Sequence, residues 1–213
     1  MKSLIIGAGT YGQVYLSYLL EAGIEIVGFL DDNKQLHGER ILDTPVIGSV
    51  NDLETLGKTH GIEAVYCPLG DNRRRVELLE YALSLGYHTP NFIHPSVIIS
   101  PNVSIGERGV YLLPATVIMP CSRINNFVMA SVNSSISHHT TVEEGVFLSF
   151  GANVGALVNV GKYSYIGINA TVMTGVRELG ENCLIGAGAV VTKDVPQNAV
   201  VAGVPAKILR YKE

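Results

Sequence analysis

The sequence is poor in charge, in cysteine and in long apolar runs, and it has no tryptophan. Asp, Glu, Lys and Arg make up 16% of the 213 residues, whereas a typical soluble domain has about 25%. The net charge is −4 and no basic stripe is present, so there is no electrostatic reason to expect binding to nucleic acid or to an acidic membrane. No apolar run approaches the roughly 18–20 residues of a membrane span, and the first residues lack the pattern of a secretory signal.

The three cysteines, Cys67, Cys121 and Cys183, are odd in number and widely spaced. This predicts reduced, buried thiols in a cytoplasmic protein rather than a disulfide framework. No paired His, Cys or Asp spacing indicates a metal site. Valine and isoleucine together make up about a fifth of the chain, which favours strands and excludes an all-helical bundle.

Residues 1–90 alternate short apolar runs with helix-like segments. Strands are predicted at Ser3–Ile6, Glu25–Leu30 and Ala64–Leu69, and helices at Gln13–Glu21 and Arg73–Leu85. Strands that alternate with helices indicate a parallel sheet with right-handed crossovers. We therefore expect a Rossmann-like α/β half-domain over residues 1–90 and a second domain over residues 91–213.

In the second domain a period of six replaces this alternation. Charge nearly disappears between Val110 and Val172, where only Arg123, Glu143, Glu144 and Lys162 are charged. One apolar residue recurs at every sixth position. The sites are Leu112, Ile118, Ile124, Ala130, Ile136, Val142, Leu148, Val154, Val160, Ile166 and Val172. With one inserted residue the series resumes at Leu179, Ile185 and Val191, and with one residue of slip it extends upstream through Ile105, Ile99 and Ile93.

A second series stands two places before each of the eleven sites, and all of its members are small or β-branched. They are Val110, Thr116, Ser122, Val128, Ser134, Thr140, Val146, Ala152, Val158, Ser164 and Ala170. Neither the helical period of 3.6 nor plain strand alternation produces such a rule. A hexapeptide β-helix does, with the large aliphatic side chain on the axis and the small one where the backbone turns a corner. Residues 93–191 then predict about five and a half coils.

A glycine-rich loop, residues 7–12, follows the first predicted strand and opens the first helix. It reads Gly-Ala-Gly-Thr-Tyr-Gly, and Asp31 and Asp32 follow about twenty residues later. Glycines allow close backbone approach, and a helix N-terminus offers N–H groups to phosphate. Because about 90 residues hold only one half of a doubly wound domain, we expect a nucleotide diphosphate rather than NAD. The alternative is that the glycines serve only a tight strand-to-helix turn and bind no ligand.

Several segments carry a resemblance to a known family. Ile166–Val172, Leu184–Val191 and the closing Ala202–Lys207 resemble the hexapeptide-repeat acyltransferases. The order of the two domains resembles the bacterial sialic-acid O-acetyltransferase branch, which includes N-acetyltransferases acting on UDP-linked 4-amino sugars. The resemblance implies a left-handed parallel β-helix, a homotrimer, and acetyl-CoA as co-substrate in the groove between adjacent subunits.

The resemblance also implies where the nucleotide-sugar binds. Its substrate-binding positions fall on Gly9, Thr10, Tyr11, Asp31, Asp32 and Gly70. Tyr11 stands where the family motif often has histidine, so phosphate binding is better supported than a preference for uridine.

Acyl transfer needs a base to take the proton of the incoming nucleophile, and histidine is the usual base near neutral pH. Of the six histidines, His138 stands apart because it lies in the region that is nearly empty of charge. Periodicity leaves open which way its side chain points. The resemblance implies that His138 is the general base, and that His139 stands where the family has an acidic residue that orients it. An orienting role and a substrate contact both remain open for His139.

Positions expected to contact acetyl-CoA follow from the same resemblance. They are Phe147, Ile168, Gly186 and Ala187. Lys207 is either a partner for a CoA phosphate or a solvated residue. A backbone N–H near Gly155 and Ala156 is expected to stabilise the oxyanion.

The function expected from these observations is transfer of an acetyl group to the amino group of a nucleotide-linked, in the first instance UDP-linked, 4-amino-deoxy sugar. Direct transfer is expected, because no motif of an acyl-enzyme mechanism is present. The alternatives are O-acetylation of sialic acid or a related sugar hydroxyl, and an NAD-linked or other nucleotide-sensing protein in which the β-helix serves only for trimerisation. Apart from the nucleotide-sugar and further copies of the chain, we expect no nucleic-acid or membrane partner.

Overall fold

The computed structural model describes residues 1–213, and the chain divides into two compact units, Met1–Asn91 and Phe92–Glu213. None of its three helices combines the length and apolarity that crossing a membrane requires.

The first unit is a five-stranded sheet with three helices. Its strands are β1 (Lys2–Ile6), β2 (Glu25–Leu30), β3 (Arg40–Ile41), β4 (Thr44–Gly48) and β5 (Ala64–Tyr66), and its helices are α1 (Thr10–Glu21), α2 (Leu53–His60) and α3 (Asn72–Ser84). The strand order is β3-β4-β2-β1-β5, parallel except for β3. β2 therefore pairs with one edge of β1, and β5 pairs with the opposite edge. The direction in which strands are added to the sheet reverses at β1.

The expected α/β half-domain is confirmed, but β3, β4 and α2 were not predicted. β3 and β4 form a hairpin whose turn residues, Leu42 and Asp43, have positive φ angles of 45° and 62°. Neither leucine nor a proline at position 45 signals such a hairpin, because both are unusual there. The third predicted strand is also shorter than expected and ends at Tyr66.

The second unit is a left-handed parallel β-helix. Most of its strands have two residues: β6 (Phe92–Ile93), β7 (Ile98–Ile99), β8 (Ser104–Ile105), β9 (Tyr111–Leu112), β10 (Val117–Ile118), β11 (Arg123–Ile124), β12 (Met129–Ala130), β13 (Ser135–Ile136), β14 (Thr141–Val142), β15 (Phe147–Leu148), β16 (Asn153–Val154), β17 (Asn159–Val160), β18 (Tyr165–Ile166), β19 (Thr171–Val172), β20 (Glu178–Leu179), β21 (Leu184–Ile185), β22 (Val190–Val191), β23 (Ala199–Ala202) and β24 (Lys207–Tyr211). They form three sheets, named here by their strands: sheet A runs from β7 to β22, sheet B from β8 to β20, and sheet C from β6 to β24.

The six-residue series fills the axis of the coil, as predicted. Ile118 pairs with Ile136 and Ile136 with Val154, so each coil stacks inward residue on inward residue. Every site from Leu112 to Val191 is buried. The upstream extension keeps this register, but Ile93 and Ile99 are 37% and 42% exposed. The coil interior therefore closes around Leu112 and opens towards its first turn.

The second series lines the inner side of the corners. All eleven residues are buried, and the hydroxyls bond to backbone carbonyls: Ser122 Oγ donates to Ser137 O at 2.9 Å and Thr140 Oγ1 to Gly155 O at 2.8 Å. A hydroxyl at these sites thus satisfies a buried carbonyl of the next turn. Every sixth residue from Ala115 to Gly175 also has a positive φ, so the chain turns through a left-handed residue at each corner.

Two of the three cysteines are buried as expected, and the third is exposed. Cys67 and Cys183 are buried, and burial raises the pKa of the Cys67 thiol to about 12. Cys121 is exposed, because it is a left-handed corner residue with φ of 63° and its side chain points away from the coil. The C-terminal segment extends sheet C as the antiparallel strand β24, all five residues of which are exposed.

Truncation of an axial residue should destabilise the coil strongly. We expect Ile136→Ala to lower the free energy of unfolding by about 3 kcal/mol, because the side chain is fully buried and leaves a cavity. Ile99→Ala, in the same sheet but 42% exposed, should cost less than about 1 kcal/mol. Urea unfolding of the full chain measures both, and equal losses for the two variants would contradict an axis packed from Leu112 onwards.

Candidate functional site

The glycine loop joins β1 to α1 in a geometry that needs glycine at two of its positions. Gly7 has φ of 97°, in the left-handed region. A Cβ at Gly12 would lie 1.9 Å from the carbonyl oxygen of Gly7, so the helix packs directly on the loop. A Cβ at Gly9 would meet nothing within 4 Å, and Gly9 and Thr10 are exposed at the start of α1. The loop thus presents open backbone at a helix N-terminus.

The two acidic residues after β2 hold the surrounding loops in place. Asp31 Oδ2 accepts a hydrogen bond from the Ala8 N–H at 2.8 Å, and Asp31 Oδ1 accepts one from Asn33 at 2.8 Å. Asp32 Oδ1 accepts from the Val50 N–H at 3.0 Å. Asp31 therefore links the end of β2 to the glycine loop by a hydrogen bond. The remaining oxygen of Asp32 lies 3.8 Å from Arg74 Nη2.

A cavity of about 240 Å³ lies where these elements meet. It is lined by Ile6, Gly7, Leu30, Asp31, Asp32, Val50, Leu69, Arg74 and Leu78. Its walls come from the carboxyl ends of β1 and β2 and from the segment after β5, which is the reversal point where open α/β sheets bind ligands. Of the predicted positions, Asp31 and Asp32 line the cavity. Gly9, Thr10, Tyr11 and Gly70 are not among its lining residues.

Sequence reasoning missed two arginines, because residues 73–75 read as an isolated basic run. Arg74 lines the cavity and also lies 3.5 Å from Glu77. Arg75 is fully buried, and its Nη1 donates to the Leu69 carbonyl at 2.6 Å and to Asn72 Oδ1 at 2.9 Å. It thereby fixes the turn that precedes Gly70. Its helical spacing with the buried Leu79 and Ala82 was the available signal.

His138 and His139 lie at the corner between sheet A and sheet B, in the segment that joins β13 to β14. His139 is the left-handed corner residue, with φ of 57°, and it is exposed, whereas His138 is half-buried. Their Nδ1 atoms are 3.1 Å apart and their rings are perpendicular. This is the only hydrogen bond of the His138 ring within the chain, so its Nε2 has no partner there.

The surroundings of the two histidines at this corner are apolar. The turn before them contributes Met119, Pro120 and Cys121, and the His139 N–H donates to the Pro120 carbonyl at 3.2 Å. The turn after them contributes Leu157, whose N–H donates to the His138 carbonyl at 3.1 Å. Met119 and Leu157 are 40% and 45% exposed. A half-buried imidazole thus lies on an uncharged surface, a setting suited to proton transfer from a neutral nucleophile.

The expectation of a free oxyanion donor at residues 155–156 is wrong for this chain. The Gly155 N–H donates to the Val172 carbonyl at 2.8 Å, and the Ala156 N–H donates to Thr174 Oγ1 at 3.2 Å. The first is a ladder bond that the preceding turn also makes, from the Ser137 N–H to the Val154 carbonyl at 2.9 Å, and the second goes to a side chain of the next turn. Both donors are therefore already used within the chain.

The predicted acetyl-CoA positions do not share one corner with His138. Ile168 and Ala187 occupy equivalent sites at the corner between sheet C and sheet A; both are exposed, and the Gly188 N–H donates to the Ile168 carbonyl at 2.7 Å. Gly186 precedes Ala187 on the same turn. Phe147 is 2% exposed and packs edge-on against Tyr165, so its side chain has no free surface for a ligand within the chain. Lys207 is exposed on β24.

A larger depression of about 380 Å³ lies at the third corner, away from the histidines. Its lining residues are Gly106, Glu107, Arg108, Asn125, Asn126, Glu143, Glu144 and Lys162. Its polar side chains pair with one another: Asn125 donates to Glu143 at 2.7 Å, and Lys162 lies 3.6 Å from Glu144. Because these polar side chains are paired with one another, the depression does not have the features of a reaction centre, despite its size.

Comparison with known proteins relates the chain to sugar acetyltransferases. Residues 2–82 match the family model described as the PglD N-terminal domain. A His-to-Ala mutant of GDP-perosamine N-acetyl transferase from Caulobacter crescentus, solved with CoA and GDP-perosamine, is 28% identical with a TM-score of 0.91, over 99% of this chain and 97% of that one. The acetyltransferase domain of PglB from Neisseria gonorrhoeae is 31% identical with a TM-score of 0.88, over 98% of this chain and 99% of that one.

A curated relative matches a shorter stretch. Galactoside O-acetyltransferase of Escherichia coli is 37% identical over 83 residues, which are 39% of this chain and 37% of that protein's length. The chain therefore spans little more than a third of this relative, whereas the two solved structures match it almost end to end.

Proposed function

Because the chain belongs to the hexapeptide-repeat sugar acetyltransferases, we propose that it transfers the acetyl group of cytoplasmic acetyl-CoA to the amino group of a nucleotide-linked 4-amino-deoxy sugar. The observation that carries the proposal is His138, a half-buried imidazole on an apolar corner whose Nε2 has no partner in the chain. A free imidazole nitrogen of this kind is the group that a direct acyl transfer needs.

The chemistry is a single displacement. The sugar nitrogen attacks the thioester carbonyl carbon while His138 Nε2 takes the proton that the nitrogen loses. The tetrahedral intermediate then breaks the carbon–sulfur bond, and His138 gives the proton it took to the departing CoA thiolate. No residue of the chain is acylated. Since the N–H groups of Gly155 and Ala156 are already donated, the oxyanion donor in this proposal lies elsewhere than at these two residues.

We assign the nucleotide to the cavity of the first unit. Open backbone at Gly9 and Thr10 and the start of α1 suit a diphosphate, and Tyr11 and Gly70 remain proposed contacts beside them. Asp31 holds the loop, while Asp32 and Arg74 offer a carboxylate and a guanidinium to the nucleoside end. A UDP-linked sugar is the first candidate. A GDP-linked sugar is the second, supported by the GDP-perosamine named in the Caulobacter complex.

We also propose that the working form is a homotrimer with acetyl-CoA between subunits. On one chain Ile168 and Ala187 belong to a different corner of the coil from His138. Two copies packed side by side would bring one corner of each type together, which supports a site completed by a neighbour. In this arrangement Ile168, Gly186 and Ala187 contact the co-substrate through exposed surface, and Phe147 has the least support.

A transfer to a sugar hydroxyl, with sialic acid or a related sugar as acceptor, is the second candidate reaction. The match to a galactoside O-acetyltransferase favours it. An alcohol is a weaker nucleophile than a neutral amine, so this reaction would depend even more on the base at His138.

A thiol-release assay with acetyl-CoA separates these candidates. The acceptors are UDP-, dTDP- and GDP-linked 4-amino sugars and free sialic acid, each at the same concentration. We expect release with a nucleotide-linked amino sugar and a kcat/KM at least about a hundredfold above that with sialic acid, in the ordinary range for enzymes. Release with sialic acid alone would overturn N-acetylation in favour of O-acetylation, and release with none would overturn both.

A further inference from the structure

The Nδ1 atoms of His138 and His139 face each other at 3.1 Å. At this separation one nitrogen must donate a proton and the other must accept it. The pair therefore holds one proton between its two Nδ1 atoms whenever both rings are neutral. Each ring is then locked in one tautomer, and the tautomer of one ring dictates that of the other.

Only one of the two arrangements leaves a base. If His139 donated, His138 would carry its own proton on Nε2, and that atom could not take another. If His138 donates from Nδ1, its Nε2 keeps a lone pair, which is the state that deprotonates a nucleophile. In this second arrangement His139 accepts at Nδ1 and carries its own proton on Nε2, towards solvent.

We propose that His139 is a positioning residue that accepts the Nδ1 proton of His138 and so keeps His138 in the basic tautomer. The inference rests on the proposed function of His138. The left-handed corner places the His139 ring beside that of His138, perpendicular to it. Histidine is one of the residue types that adopt such a φ more readily than most.

An imidazole acceptor differs from a carboxylate because it accepts only while its Nδ1 carries no proton. A proton placed on Nδ1 of His139 turns that acceptor into a donor. His138 must then take the other tautomer, with its own proton on Nε2, and the base is lost.

Few other groups at this corner could take the place of His139. The turns stacked on the pair contribute Met119, Pro120, Gly155, Ala156 and Leu157, whose side chains offer no strong hydrogen-bond acceptor. The exposed Cys121 thiol is the one further polar side chain on these turns. His139 is therefore the only imidazole or carboxylate that these turns offer to His138.

Nitrogen-15 NMR of the full chain at neutral pH tests the tautomers without any substrate. We expect the proton on Nδ1 of His138 and on Nε2 of His139, with a scalar coupling between the two Nδ1 nuclei across the hydrogen bond. A proton on Nδ1 of His139, or Nε2 protons on both rings, would overturn the proposal. Because no turnover is involved, the spectrum is decisive even if the acceptor assay fails.

Two variants test the role in turnover, and both suit a left-handed residue. His139→Asn keeps an acceptor at this position, so kcat should stay within about threefold of wild type. His139→Gly removes the acceptor and should lower kcat about 10- to 100-fold with KM unchanged. Equal kcat in all three proteins, or a loss in His139→Gly that His139→Asn shares in full, would contradict the positioning role.

Failure of this inference and failure of the proposed function look different. If the NMR spectrum shows the expected tautomers but no acceptor is acetylated, the hydrogen-bonded pair stands and the reaction is wrong. If acetyl transfer occurs with an unaltered rate in His139→Gly, the reaction stands and the role of His139 is wrong.

Discussion

Replacing His138 by alanine is expected to lower kcat for acetyl transfer by about a hundredfold or more, the usual scale for loss of a general base. The reason is that this corner has few groups that could replace the base. Apart from the neighbouring His139, the adjoining turns contribute only the thiol of Cys121. KM for both substrates should change little, because His138 acts on the proton rather than on binding. Initial rates of thiol release with a saturating acceptor measure the effect.

The matched control is His60→Ala, since His60 is exposed at the end of α2 in the first unit. It should retain the wild-type rate. The thermal unfolding of His138→Ala should match that of the wild type, because the ring makes one exposed hydrogen bond. A kcat for His138→Ala within twofold of wild type would remove His138 from the mechanism.

The second large effect is expected at Gly12. In Gly12→Ala the new methyl carbon would lie 1.9 Å from the Gly7 carbonyl oxygen, which is backbone and cannot rotate away. The helix must shift off the loop, and we expect a loss of about 3 kcal/mol or more in the stability of the first unit. Urea unfolding measures it, and hydrogen exchange of the amides of β1 locates it.

Gly9→Ala is the control for this prediction. Its methyl group meets nothing within 4 Å and its φ is −68°, so its stability should equal that of the wild type. If the diphosphate lies against the Gly9 backbone as proposed, KM for the nucleotide-sugar should nevertheless rise by about tenfold. Equal stability of Gly12→Ala and Gly9→Ala would show that the helix does not pack on the loop as described.

The β-helix could be predicted almost completely because its interior imposes one rule at every turn. Each axial residue must be apolar, and each residue at an inner corner must be small or β-branched. Residues such as Ile136 and Thr140 can therefore be identified from their spacing alone. The rule weakens where the coil ends. Ile93 and Ile99 obey the register but are exposed, because a period describes which residues stack and not how far the stack is covered.

The candidate site was only partly predictable, because its geometry depends on contacts between distant turns. Spacing and resemblance singled out His138 and His139. The Gly155 N–H is used by a ladder bond that other turns also make, and the Ala156 N–H by the hydroxyl of Thr174. Neither bond can be read from the six-residue spacing. Arg75 was missed because a basic run reads as surface, although burial on α3 turns this arginine into a support for the Leu69 turn.

The most direct test of the account is the fate of the acetyl group, followed by mass spectrometry of acceptor and intact chain in one reaction. With acetyl-CoA and a UDP- or GDP-linked 4-amino sugar, the account predicts that the nucleotide-sugar gains one acetyl group on nitrogen while the mass of the chain stays constant. An acetylated chain would contradict direct transfer. An unmodified set of nucleotide-sugars, with acetyl-CoA still intact, would contradict the proposed acetyltransferase activity itself.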